Sequence, residues 1–154
     1  MKLSLISICL LFLSYGCSKN SPTSTAPTLD TTTKENSGRW AIASTDDILR
    51  IDSTWRFISY LERDDGGVRI KGGYTLDMSN PSDTYVEFSS SKLTFDDAIG
   101  IVISEYNAYI TPRKVSANST DTYSGTFEID LDSIDIANQI TKMSFWASAS
   151  IPWN

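Results

Sequence analysis

The side chains that could do chemistry here are carboxylates, aromatic rings and a thiol. Histidine is absent, and the cysteines are Cys9 and Cys17. Without histidine there is no Ser-His-Asp or Cys-His catalysis and no imidazole ligand for zinc. In EIDLDSID, residues 128–135, Asp130, Asp132 and Asp135 have the look of an oxygen-rich cation loop. The EF-hand order fails: counting from Asp130, the sixth position is Asp135, where glycine is required, and no glutamate stands at the twelfth. Strand parity instead sends Asp130 and Asp132 to solvent, opposite Ile129 and Leu131. Asp64-Asp65 and Asp96-Asp97 sit where turns are expected. GGVRIKGG, residues 66–73, lacks the spacing of a phosphate loop. Paired-carboxylate hydrolysis stays formally open, but a small sandwich with its acids mostly in turns offers little cleft. The expectation is a protein that is not an enzyme, with no catalytic residues, metal or cofactor.

Two rings fall on the wrong side of their strands. Trp146 points away from Met143, Phe145 and Ala147, and Tyr85 points away from Val86 and Phe88. Left exposed, such rings could stack on sugars or anchor a protein partner. The bland expectation, which we favour, is that the N-terminal region with Trp40 and Trp55 covers that face and makes both rings core.

Cys17 has different chemistry open to it. The chain begins with Lys2 and an apolar run, Leu3–Leu13, diluted only by Ser4 and Ser7. This is the length of a signal-peptide core and too short to span a bilayer. Leu13-Ser14-Tyr15-Gly16-Cys17 resembles the lipobox of bacterial lipoproteins, in which the cysteine is acylated before cleavage. The alternative is a plain secretory signal cut near Gly16. Cleavage would discard Cys9 and leave Cys17 as a lone thiol, which an oxidising envelope does not favour. We therefore expect a signal peptide at 1–16 and lipid attachment, palmitate included, at Cys17. By the same resemblance, Ser18 in place of aspartate implies passage to the outer membrane of the cell envelope, facing the periplasm or the surface.

The elements that must position these groups follow from composition. Residues 17–38, from Cys17 through SKNSPTSTAPTLDTTTKENSG, are too polar to bury a core and read as a disordered tether. Residues 39–154 hold all four tryptophans, with 10 Lys+Arg against 17 Asp+Glu. That acidic balance argues against nucleic acid as a partner. Period-two alternation runs through 68–78, 122–131 and 143–149. Shorter strands are expected at 55–62, 84–89, 92–95, 99–106 and 109–111, with one short helix at Thr45–Arg50. Seven to eight such strands give an all-β, antiparallel sandwich.

Residues 70–131 resemble the Ig-like sandwich shared by late-embryogenesis-abundant-type domains and bacterial FxLYD-type lipoprotein domains. IKGGYTLDMSNPS supplies Gly72, Asn80 and Ser82, Leu93-Thr94-Phe95-Asp96 is followed by Gly100, and Pro112 precedes GTFEID at 125–130. Ser91 replaces the first aromatic of the eponymous motif, and 39–69 has no counterpart. The resemblance implies a non-catalytic envelope module and brings no active site. The expected function is a lipid-anchored binding or structural module. A glycan-binding surface lipoprotein assisting polysaccharide capture, or an inhibitor or immunity-type lipoprotein, are the alternatives. Its partners would be the membrane through the anchor and an envelope protein or glycan. The sequence leaves the oligomeric state open.

Overall fold

The computed structural model describes residues 26–41 and 48–151. The segment expected to be a signal peptide, Cys17 and Trp153 lie outside them. Eight strands and one helix form: β1 (Lys34–Ala41), β2 (Ile48–Glu62), β3 (Val68–Asn80), β4 (Val86–Asp96), β5 (Val102–Tyr106), β6 (Ile110–Val115), β7 (Ser119–Leu131), α1 (Ile134–Gln139) and β8 (Lys142–Ser150). The strands are dictated by alternation. Along β3, Val68, Ile70, Gly72, Tyr74, Leu76, Met78 and Asn80 are buried, and the residues between them are not.

The strands make the expected two-sheet antiparallel sandwich. One sheet has the order β1-β2-β3-β7. In the other, β4 is central. β8 runs along one side of it, and β6 and β5 follow each other along the other, pairing with Val86–Ser90 and Leu93–Asp96. Trp55, Phe57, Phe95 and Phe127 meet edge-on or tilted between the sheets. Each such buried ring contributes about 1.5–3 kcal/mol. The sheets are tied at both edges. Asn36 Oδ1 accepts from Trp55 Nε1 at 2.8 Å and from the Met143 amide at 3.2 Å, joining β1 to β8. Arg113 of β6 donates to Asp121 of β7 at 3.2 Å and lies over the Tyr123 ring.

Three expectations need correction. Residues 26–38 are not all tether: Leu29 is buried and β1 starts at Lys34. Its residues KENSG carry no apolar period, because polar cross-strand contacts hold the strand, among them Ser37 Oγ to Asp52 Oδ1 at 2.6 Å. The helix expected at Thr45–Arg50 does not form over 48–50, which open β2. There Leu49 and Ile51 continue the inward alternation of Ser53, Trp55 and Phe57; residues 45–47 lie outside the described set. The helix stands instead at Ile134–Gln139, where Ser133 Oγ caps the Ile136 amide at 3.3 Å and Ile134 and Ala137 are buried. Finally, 86–89 and 92–95 belong to one kinked strand, β4, and 84–85 precede it.

Candidate functional site

The kink in β4 is built from three serines. Register shifts by a residue between Phe88 and Ser90 against β6, and between Ser90 and Lys92 against β8. Such bulges bend a strand and re-aim its side chains. Ser90 is buried and donates to the Trp146 carbonyl at 3.1 Å, which holds the bend. Ser89 and Ser148 hydroxyls meet at 3.0 Å across the outer face. The bend opens a groove of about 550 Å³ between β8 and the start of β6. Ser89, Ser90, Ser91 and Ser148 supply hydroxyls, and Ile110, Pro112, Phe145 and Ala147 supply apolar surface.

Trp146 and Tyr109 flank this groove, 64% and 79% exposed. Trp146 is therefore uncovered, against the expectation that it would be core. Trp55 cannot cover it, because Trp55 lies between the sheets while Trp146 stands on the outer face; the side chain of Trp40 is outside the described set. The Trp146 ring is held by Lys92, whose ammonium lies 5.3 Å from its centroid and 2.7 Å from Glu105 Oε2. Tyr85 is half-buried under Lys114 Nζ, 4.3 Å from its ring centroid, and does not line the groove. Parity thus found Trp146 but missed Tyr109, which stands in the 107–109 connection where alternation says nothing. The residues that line the groove carry no carboxylate, amine or guanidinium, and the Lys92–Glu105 pair adjoins it only at the Trp146 rim. Its chemistry is stacking and neutral hydrogen bonding.

The acids are occupied elsewhere. Asp130 accepts from Arg69 at 2.7 and 3.0 Å, and these bonds, with Arg63 nearby, hold its carboxyl below the usual range. Asp135 lies in the first turn of α1. Asp65 Oδ1 accepts from the Gly67 amide, and Asp97 Oδ1 from the amides of Ile99 and Ile101. Among the described residues no three acids converge as metal ligands. Asp96 is buried with Oδ2 bonded to Ser144 Oγ at 3.0 Å and, among the described residues, no partner for Oδ1.

No protein-family model matches the chain, and no curated protein sequence matches it. Two solved structures are similar to part of this chain. One is Northeast Structural Genomics Consortium target SoR45, at 16% identity and TM-score 0.42, over 55% of this chain and 64% of that one. The other is a DUF1425 family member from Shewanella sp. pv-4, at 14% identity and TM-score 0.26, over 75% of this chain and 99% of that one. The chain spans less than two-thirds of the first, and neither likeness bears on function.

Proposed function

We propose that this protein is a non-catalytic binding module of the bacterial cell envelope, lipid-anchored through Cys17, with the groove beside Trp146 as its binding surface. One observation carries the binding part: a tryptophan ring stands well exposed, oriented by Lys92, at the rim of a groove formed by a kinked strand. A single exposed ring would mean little, but two large rings left in water on one groove form a surface suited to contact. The lipobox-like segment and the resemblance to FxLYD-type lipoprotein domains support the location.

Glycan capture is the ligand reading that the groove's chemistry favours. Two flat rings and a set of serine hydroxyls in one groove match the alternating apolar and hydroxyl faces of a sugar, and the uncharged lining suits a neutral one. Titration of the protein with neutral oligosaccharides, followed by tryptophan fluorescence, tests it. The expected result is an emission shift that Trp146→Ala abolishes and a Kd raised about tenfold in Tyr109→Ala, or ~1.4 kcal/mol. Equal responses from wild type and Trp146→Ala would remove the groove from the reading. No response to any sugar would turn it to a protein partner.

A further inference from the structure

The end of the sandwich that carries α1 also receives the N-terminal chain. Asn138 Nδ2 donates to the Thr28 carbonyl at 2.9 Å, and its Oδ1 accepts from the Asp30 amide at 2.8 Å. The amide of Thr141, just past α1, donates to the Asp96 carbonyl at 3.0 Å. The β4–β5 turn, residues 97–101, therefore stands at this same end. Its tip is apolar: Ile99 is 81% exposed and Ile101 59%, with Val102 exposed beside them. The turn is closed rather than loose. The Asp97 amide donates to the Ile101 carbonyl at 2.9 Å, and Gly100 takes the positive φ the turn needs. The Asp97 carboxylate is folded back onto the amides of Ile99 and Ile101, so the isoleucines project and the charge does not.

We propose that this end docks on the membrane that holds the anchor, with Ile99, Ile101 and Val102 entering the boundary between headgroups and acyl chains. This rests on the reading of Cys17 as lipidated. The occupant follows from chain length. Nine residues lead from Cys17 to Ala26, where the described chain starts. A coil of that length spans about 17 Å, and a fully extended one about 30 Å. β3 alone, with its 13 residues, runs roughly 43 Å. An anchored Cys17 thus keeps the α1 end, and not the opposite one, against the bilayer. There the effective concentration makes a small apolar contact sufficient. Residues 18–25, SKNSPTST, have no side chain suited to covering the isoleucines. Asp64, Asp65, Asp132 and Asp135 lie at this end too, with Arg63, Arg69 and Lys142 among them and Arg63 paired to Asp65, so the acids outnumber the cations and the surface it takes is zwitterionic rather than anionic.

The test uses full-length Ile99→Cys protein, purified in its mature form from membranes, labelled at the introduced thiol with an environment-sensitive fluorophore and placed in phosphatidylcholine–phosphatidylethanolamine vesicles. Blue-shifted emission that brominated acyl chains quench is the expected result. The same label at Ala117→Cys, in the β6–β7 turn of the opposite end, should show neither. A protein that carries the acyl mass but leaves the Ile99 probe in water overturns the docking while the anchor stands. A mature chain without acyl mass that does not pellet with vesicles overturns the anchor, and the docking with it.

Discussion

Asn80 is buried at the end of β3, and its amide serves five partners. Nδ2 donates to the carbonyls of Thr84, Val115 and Ser116 at 2.8–3.0 Å, and Oδ1 accepts from the Ser82 amide at 3.0 Å and its hydroxyl at 2.7 Å. One side chain thereby fixes both the β3–β4 and the β6–β7 turns. Asn80→Ala would leave buried carbonyls unpaired, and we expect it to lower stability by about 3 kcal/mol. Asn80→Asp keeps the acceptor for Ser82 but sets a second oxygen against three carbonyls, and should do no better. Chemical denaturation measures both; a loss below about 0.5 kcal/mol in the alanine variant would show that the turns hold without it. The Asn80–Ser82 pair was legible as a turn marker. That the amide also reaches Val115 was not, because the partner lies 35 residues away along the chain.

At the scale of elements, alternation carried most of the reading. It placed Gly72 inward on β3 and Gly73 outward, and the packing gives that difference a magnitude. A Cβ on Gly72 would fall on the Phe127 ring, whose own neighbours Phe57, Tyr74 and Phe95 leave it no room. A Cβ on Gly73 meets nothing nearer than the end of Ile58 at 3.5 Å. Gly72→Ala should therefore cost about 2–3 kcal/mol, and Gly73→Ala should change stability by less than about 0.5 kcal/mol. Thermal unfolding of the pair checks this, and equal melting temperatures would contradict the packing. Alternation failed where another signal was needed. β1 is polar and exists because β2 pairs with it. The start of β2 is extended where a helix at Thr45–Arg50 is expected, and Leu49 and Ile51 already carry the period of two that continues through the strand. The true helix is 6 residues long and too short to print a period. The kink that forms the groove hides in FSSSK, where three serines say nothing about register.

For the whole molecule, the anchor reading rests on the sequence of residues 1–17, and the fold adds the docked segment from Thr28 to Lys34. That segment shortens the expected tether and orients whatever it tethers. Replacing the thiol tests the anchor at this scale. Cys17→Ala should leave the protein soluble or as an uncleaved precursor, read by membrane fractionation and mass. A variant that still fractionates as a mature membrane protein would defeat the lipid reading.

The sequence by itself determined the excluded chemistries, the lipobox-like signal, the acidic charge and the all-β class. Those depend on residue identity and on spacing within a few positions. Only the tertiary structure decided that Trp146 stays in water and that Tyr109 joins it across the β4 kink. It also decided that the N-terminal segment and the Ile99 turn share one end of the sandwich. Each of these depends on which strands pair and in what register. Register is fixed where the inward faces of strands tens of positions apart meet, as Tyr74 does opposite Gly125, and the alternation along one strand does not say which strand it pairs with.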